Sequence, residues 1–486
     1  MRLKSFSLLV LVISFVSSCT NNNYEEVKMF ENGDRYAVSI TSEEAISLIA
    51  DYSNNLSDTE VIQLVESFVC EQEPSTRATE LNLQNVRIVK NYRLSCDNIN
   101  LTRAGASTDS VDFCEIIFDC ENNSGYAYVC RDSRYPEVLA FVPCIDYSSL
   151  NSYEPINIMI DRAQSVALKY IERCNEISHN LHEQTLSKVC KNLHIARDEF
   201  DFVKYRKQIH IEDYDYANDL TRGSVTTPTG TILNTVGPLC GSTRIIQGWP
   251  CNQFMPTTEL EKFNTMQHNG HYPAGCANVA LATICAYIQP TIYSADLGRN
   301  INWANVYNTY FNPFAFNEVY YSSNTPQAIE VGYLLKTIAN GTNTNFDSNG
   351  GGTSISNAAS YMRSIGISMS SSTSALNYSN VRQSLSNLSP VYCTGTNTEN
   401  GSTRSDSNSS NHAWVIDGLQ IRRPNTRMEI QNYNCYANCK FGWIENEYYG
   451  GYNGWYLFDT NGTISFDFDS SSLSSNLRCV TNIRIQ

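Results

Sequence analysis

The chain has 486 residues, of which 42% are hydrophobic and 17% charged, which is enough apolar material for two or more packed domains and excludes a disordered protein. The formal net charge of −15 argues against nucleic acid as a partner and against electrostatic attachment to anionic lipid. The 17 cysteines form no repeating framework, and no spacing makes a convincing metal site, not even His268, His271 and Cys276 together. We therefore predict neither a metal nor a cofactor.

Residues 1–18 have the pattern of an export signal. A basic start precedes an apolar run over residues 6–16, which ends in small residues and Cys19. A cysteine at the cleavage site resembles a bacterial lipoprotein signal, in which Cys19 becomes the lipidated first residue. Ordinary cleavage with an incidental Cys19 is the alternative. We expect an exported protein, anchored at the cell envelope or surface through Cys19 and a tether over residues 19–34, with release of the mature domain left open.

Residues 35–212 are predicted to form a separate α+β domain. A capping box from Thr41 to Glu44 opens a helix that ends near Tyr52. The remaining pattern predicts helices over residues 58–69 and 158–177, and strands over 86–92, 111–118, 126–130 and 138–142. No pair of residues in this half suggests catalysis of its own.

The segment 213–235 is predicted to be an exposed linker. It is rich in Asp, Thr, Gly and Pro, with Thr-Arg-Gly-Ser around Arg222. Proteolytic nicking concentrates in exposed segments of small residues. We expect one main maturation cut within residues 204–235, with Arg222 as the leading position.

Cys276 has the sequence environment of a reactive thiol. Pro273 and Gly275 mark a turn before it, and an alanine-rich apolar run, typical of a packed helix, extends from it to Pro290. The first turn of a helix presents unpaired N–H groups and the positive end of the macrodipole, which favour an anion. We therefore predict that the pKa of Cys276 falls from about 8.5 toward roughly 3.5–7.5. A buried structural cysteine is the alternative reading.

His412 is the candidate partner of Cys276. It starts a short apolar strand over residues 411–418 that ends at Gly418. A cysteine nucleophile needs a base that is distant in sequence and near in space. A nucleophile on a central helix and a base on a following sheet satisfy that need, although a lone histidine at a strand start is usually just half-exposed.

These two segments resemble the two signatures of the streptopain family of cysteine peptidases: Ala-Gly-Cys-Ala-Asn-Val-Ala-Leu-Ala-Thr around Cys276, and His-Ala-Trp-Val-Ile-Asp-Gly from His412. A third match, Gln247 with Pro250 and Asn252, resembles the family segment whose glutamine helps to form the oxyanion hole. A fourth, Phe-Gly-Trp at 441–443 followed by Tyr-Asn-Gly-Trp-Tyr, resembles the family's Asn-Trp-Gly-Trp loop and the strand after it.

The resemblance covers about residues 35–486 and implies an α+β protein. A papain-like catalytic domain over residues 236–486, with a helical part and an antiparallel sheet part, follows an α+β pro-domain over 35–212. In the family, the pro-domain blocks the cleft and displaces the catalytic histidine until it is cut away. An accessory domain that stays attached is the alternative. The implied partners are protein or peptide substrates and the chain's own pro-domain.

The resemblance also assigns roles to residues. Cys276 is the nucleophile, His412 the general acid and base, and Gln247 an oxyanion donor, while Trp443 shelters the pair from water and Trp414 lines the cleft wall. The function that follows is that of a cysteine endopeptidase made as a zymogen. A catalytically impaired surface-binding lipoprotein, or a cysteine-dependent amidase or acyltransferase, stays open as an alternative.

The sequence departs from the family at the residue that orients the catalytic histidine. The family has an asparagine there, but alignment on Gly442 and Trp443 puts Lys440 at that position. An ammonium group has three donors and no acceptor, so it cannot accept the ring N–H, and it would repel an imidazolium. Either the enzyme is slow or inactive, or Asn438 supplies the oxygen. The hypothesis is that Lys440→Asn raises turnover while Asn438→Ala changes little.

Overall fold

The computed structural model describes residues 36–49, 55–72, 84–95, 110–120, 123–143, 145, 147, 154–212, 230–241, 245–310, 324–348, 350–396, 411–424, 432–445, 449–462 and 477–485. Cys19 and Arg222 lie outside these residues, as do the signal segment, the tether and most of the predicted linker.

The helices are α1 (Ser42–Ile49), α2 (Asp58–Gln72), α3 (Glu154–Leu193), α4 (Phe202–Tyr205), α5 (Cys276–Ile288), α6 (Trp303–Tyr310), α7 (Pro326–Gly341), α8 (Ile355–Ser364) and α9 (Tyr378–Ser386). The strands in the first half of the chain are β1 (Val38–Ile40), β2 (Gln84–Ser95), β3 (Ser110–Cys120), β4 (Asn123–Cys130), β5 (Val138–Val142), β6 (Ile209–Ile211) and β7 (Ile232–Val236). Short strands follow: β8 (Tyr293–Ser294), β9 (Arg299–Asn300), β10 (Asn345–Asp347), β11 (Gly350–Gly352), β12 (Ile367–Ser368) and β13 (Ser374–Ala375). The last strands are β14 (Val391–Thr396), β15 (Asn411–Arg422), β16 (Asn432–Lys440), β17 (Trp443–Glu445), β18 (Tyr449–Gly451), β19 (Gly454–Gly462), β20 (Arg478–Val480) and β21 (Arg484–Ile485).

The helix starts follow from local capping. The predicted box at α1 is confirmed, since the N–H of Thr41 donates to Glu44 Oε2 at 2.9 Å and the N–H of Glu44 donates to Thr41 Oγ1 at 3.1 Å. Ser57 and Glu60 make the same reciprocal pair at the start of α2. The predicted strands of the first half are confirmed as β2 to β5, whereas α3 extends further at both ends than the sequence predicted.

The main sheet joins both halves of the chain. Its strand order is β13-β20-β14-β15-β16-β19-β5-β4-β3-β2, with β7 paired to the far half of β15, and its neighbours are antiparallel. This mixture of helices and antiparallel sheet agrees with the predicted α+β class. The join is made by β19 and β5, where Trp455 pairs with Phe141 and Tyr456 with Ala140. The N-terminal half therefore shares its sheet with the C-terminal half, unlike the separate unit that the sequence predicted.

The faces of β15 divide the interior. Trp414 and Ile416 belong to a large apolar cluster that also contains Phe68 and Ile158 from the N-terminal half. Ala413 and Val415 point to the other face, because side chains alternate along a strand, and they pack in a second cluster around α5, α7 and α8. α5 thus lies against β15.

The chain is part of the fold directly before the predicted linker and again over the last residues of that linker. Before it, β6 pairs in parallel with β1, and the N–H of Glu212 donates to Ile40 O at 2.9 Å. After it, β7 pairs with β15, so residues 232–235, predicted as linker, form a strand. The part of the linker outside the described residues is 213–229.

Candidate active site

The turn before Cys276 needs glycine. Gly275 caps α5 with φ at +92°, in the region that glycine adopts freely. A Cβ at Gly275 would overlap the carbonyl oxygen of Gly351, and one at Gly351 would lie 3.0 Å from Pro273 O. Gly351 in β11 is therefore explained by close backbone packing against the turn that precedes Cys276.

Asn278 secures the same turn from within the helix. It is fully buried; its Nδ2 donates to Ala274 O at 2.7 Å and to Thr344 Oγ1 at 2.8 Å, while its Oδ1 accepts from Thr342 Oγ1 at 3.0 Å. These bonds tie the chain before Cys276 to the segment after α7. We assigned no role to this residue from the sequence, although an asparagine inside an apolar helical run was a visible signal.

Cys276 keeps part of its surface open to solvent, and its thiol lies beside the main chain of Ala413, the residue after His412. Burial raises the pKa of the Cys276 thiol above its ordinary value, and hydrogen bonds from the main chain of Ala413, Ala277 and Cys276 itself oppose that shift without reversing it. The predicted lowering of this pKa is therefore wrong for the full chain. The cost of desolvating the Cys276 thiolate exceeds the stabilisation that the N–H groups at the helix start provide.

His412 is almost completely buried on β15. Its Nε2 lies 3.3 Å from the carbonyl oxygen of Phe441, which can only accept, so Nε2 carries the proton. In a neutral ring, Nδ1 then holds the lone pair. Burial lowers the pKa of His412 to about 3, with the bond to Phe441 acting in the opposite direction. At neutral pH this chain therefore rests with a thiol and a neutral imidazole.

Phe441 is fixed from three sides. Its N–H donates to Asn453 Oδ1 at 2.9 Å, and its ring lies 5.9 Å from the rings of both His412 and Trp414. Gly442 follows with φ at +64°, and a Cβ there would overlap Val279 on α5. The loop that holds the His412 ring is thereby packed directly on the helix that begins at Cys276.

The two doubtful orienting positions do not provide the acceptor of Nε2. Lys440 pairs with Val415 at the end of β16. Burial raises the pKa of Asp417 to about 6, and the charge of Lys440 acts against that rise. Asn438 is buried, and its Oδ1 has no hydrogen-bond partner among the residues that the structure describes. The acceptor is the main chain of Phe441, which sequence alignment of side chains could not identify.

Gln247 is buried next to the turn that precedes Cys276. Its carbonyl accepts from the N–H of Ala274 at 2.8 Å, two residues before Cys276. Asn252, also buried, donates to the carbonyls of His268 at 3.1 Å and Tyr272 at 3.2 Å. The segment carrying Gln247 and the segment carrying Cys276 are thus held together.

The structure describes the side chain of Trp414 but only the backbone of Trp443. Trp414 has no exposed surface and lies in the core shared by the two halves. It supports Phe441 and does not line an open cleft in this structure, contrary to its predicted role. The backbone of Trp443 starts β17, opposite Gly451, and its side chain lies outside the described part.

No metal-binding constellation or disulfide occurs within the described ranges. No disulfide links the 13 cysteines whose side chains the structure describes, and among these only Cys70 and Cys276 have more than slight exposure. No group of three or more His, Cys, Asp or Glu side chains in that part could hold a metal ion, which includes the set of His268, His271 and Cys276. None of its helices is both long and apolar enough to cross a membrane.

A comparison with protein families matches this site region. The model of the Peptidase C10 family aligns with residues 247–456, somewhat under half of the chain, and the match contains both Cys276 and His412. No curated protein matches the chain.

Proposed function

Because residues 247–456 of this chain belong to the Peptidase C10 family, the streptopain family of cysteine peptidases, we propose that the protein is a cysteine endopeptidase with Cys276 as nucleophile and His412 as general acid and base. Family membership implies protein or peptide substrates. The observation that carries the proposal is the packing of α5 against β15, which sets the Cys276 thiol beside the main chain of the residue after His412.

The reaction starts from the neutral pair. Nδ1 of His412 takes the thiol proton while Sγ of Cys276 bonds to the peptide carbonyl carbon, and the carbonyl oxygen becomes an oxyanion. The N–H of Cys276 and the side-chain amide of Gln247 donate to that oxyanion, each worth on the order of 3 kcal/mol. The imidazolium then protonates the leaving amine, and the C–N bond breaks. Water, deprotonated by Nδ1, hydrolyses the resulting thioester and restores the thiol.

Incubation of the refolded full chain with casein tests this function. We expect fragments from the parent and from Cys285→Ala, a matched removal of a buried thiol on the same helix, and none from Cys276→Ala. An epoxide peptide inhibitor should label the parent at Cys276. Hydrolysis of small amides with casein left intact would indicate an amidase or acyltransferase, and a thiol that is never labelled would indicate a binding lipoprotein.

The proposal includes synthesis as a zymogen with residues 35–212 as an inhibitory pro-domain. The burial of His412 in the full chain supports a precursor at rest, because a buried imidazole is not open to substrate or solvent. Ile158 of α3 would lie 3.2 Å from a Cβ at Gly395, the cross-strand partner of His412, so the N-terminal half packs close to the base.

The maturation cut belongs between residues 213 and 229, with Arg222 as the leading position, because residues on both sides are paired in strands. Refolded parent should cut itself there, and Cys276→Ala should stay intact. Equal maturation of the two without added protease would assign the cut to another enzyme.

Export and anchoring through a lipidated Cys19 complete the proposal. The support is the signal pattern of residues 1–19. Metabolic labelling with a radioactive fatty acid should label the parent and not Cys19→Ser. The parent should be found in the membrane fraction, and the variant should not. An unlabelled parent would leave ordinary signal cleavage as the explanation.

A further inference from the structure

We propose that the N-terminal half, residues 36–212, stays bound to the C-terminal half, residues 230–485, after the chain between them is cut, so that the cut alone leaves the site inhibited and a separate step must remove the N-terminal half. The inference uses the proposed function only for the existence of the cut. The surface that the N-terminal half covers is the β19 edge of the C-terminal sheet, together with the side chains around that edge.

The two halves share main-chain pairing. β5 adds directly to the free edge of β19 through Trp455–Phe141 and Tyr456–Ala140, so the sheet continues across the junction. Gly454 allows this approach, because a Cβ there would overlap Phe141 O. An unpaired edge strand is a liability that proteins cover. Departure of the N-terminal half would uncover β19, whose Tyr456, Leu457 and Phe458 have no exposed surface.

Buried polar groups are satisfied across the junction. The hydroxyl of Tyr436 donates to Val138 O at 2.7 Å, and the hydroxyl of Tyr135 donates to Asn434 Oδ1 at 2.7 Å. Nε of Arg162, on α3, donates to Phe458 O at 2.9 Å. A buried donor that loses its acceptor pays its full desolvation cost, so separation leaves several such groups to be rehydrated at once.

Arg422 gives the junction a second kind of contact. It is 2% exposed, and its guanidinium carbon lies 3.7 Å from the ring centre of Phe68 on α2. Gln420 Oε1 accepts from Nε and a terminal nitrogen of Arg422 at 3.0 and 2.9 Å, which fixes the guanidinium in that place. A desolvated cation stacked on an aromatic face is a favourable contact, and it joins the end of β15 to the N-terminal half.

The cut itself would release neither end. Residues before 213 are held by the pairing of β6 with β1, and residues after 229 by the pairing of β7 with β15. Nicking therefore removes one covalent link and no contact in the described junction.

A site-specific protease sequence inserted after residue 220 of the Cys276→Ala chain tests the inference without catalytic activity. After complete cutting, we expect the two fragments to elute together from a sizing column at the volume of the uncut chain, and to separate only in denaturant. Fragments that separate in native buffer, soluble or precipitated, would overturn the proposal. Because the variant lacks the nucleophile, that failure would leave the casein test of the proposed function untouched.

Gly454→Ala in the same cut chain tests the junction. We expect it to lower the denaturant concentration at which the fragments separate, because the new methyl group presses on Phe141 O. Gly352→Ala is the matched control, since a Cβ there meets no atom within 4 Å. Equal midpoints for the two variants, with circular dichroism showing both folded, would refute the role of the β5–β19 pairing.

Discussion

The ring of His412 is held by the main chain of Phe441, with Nε2 3.3 Å from the carbonyl oxygen. No substitution of the Phe441 side chain can delete that acceptor. The orientation of the imidazole therefore depends on whatever fixes the Phe441 peptide. Asn453 is the side chain that does so, because its Oδ1 accepts the N–H of Phe441 at 2.9 Å.

Asn453→Ala is expected to lower kcat on a peptide substrate by about fivefold with little change in KM, since one hydrogen bond of ~1 kcal/mol positions the base and does not bind substrate. Asn453→Asp keeps an acceptor oxygen and should recover most of the loss. Steady-state kinetics of the three matured enzymes decide the matter. Equal losses in the alanine and aspartate variants would show that Asn453 acts through packing alone.

Alkylation of Cys276 in the uncut chain should be slow at pH 7 and rise as pH increases beyond 9, because burial raises the pKa of the thiol and the thiolate is the reactive form. The measurement is the rate of iodoacetamide labelling at Cys276 by peptide mapping in a Cys70→Ser background, which removes the most exposed of the cysteines whose side chains the structure describes. A rate already at its plateau below pH 7 would mean that the thiolate–imidazolium pair exists in the full chain.

Acid should destabilise the full chain through His412. Its pKa is about 3 in the folded chain against an ordinary 6.5, so between those values only the unfolded chain takes up the proton, and stability falls as pH falls, by at most about 1.4 kcal/mol per pH unit. His268, with a pKa of about 4, acts in the same direction. Asp417 opposes both, because its pKa of about 6 makes the folded chain the better proton acceptor between roughly pH 4 and 6.

Urea unfolding midpoints from pH 7 to pH 4, in the Cys276→Ala background, test those signs. His412→Gln should flatten the acid loss, and Asp417→Asn should steepen it. Parallel curves for the parent and both variants would mean that neither group changes its protonation on unfolding.

The sequence predicted features that depend on near neighbours. Turn-forming residues and hydrophobic periodicity within a few residues predict the start and end of α5, the capping box at Thr41 and the strands β2 to β5. The direction of the Cys276 pKa shift was predicted wrongly, because burial is set by β15, far along the chain. The Phe441 carbonyl carries no residue-type signal, and the β5–β19 pairing joins strands that no local pattern links.

Gln247→Ala is expected to lower turnover by about a hundredfold or more with little change in substrate binding, because the oxyanion forms only in the transition state. Gln267→Ala, an exposed glutamine in the same region of the chain, should match the parent. Kinetics on one peptide substrate compare the three. An unchanged turnover number for Gln247→Ala would assign the second oxyanion donor to another group.

Lys440 is the residue at which the sequence was predicted to depart from the family, and the structure changes what its replacement should do. The acceptor of the His412 ring is already supplied by Phe441, and the charge of Lys440 acts on Asp417. Burial lowers the pKa of His412, and the bond to Phe441 opposes that shift, so Lys440 is not among its causes. Lys440→Asn should therefore leave turnover at pH 7 within about twofold of the parent, since no interaction with the reacting groups changes. It should also raise the pKa of Asp417 further, visible as an upward shift of that carboxyl's titration by NMR. A Lys440→Asn enzyme that is tenfold faster would instead support direct repulsion of the imidazolium, and would mean that His412 leaves the Phe441 carbonyl when the enzyme matures.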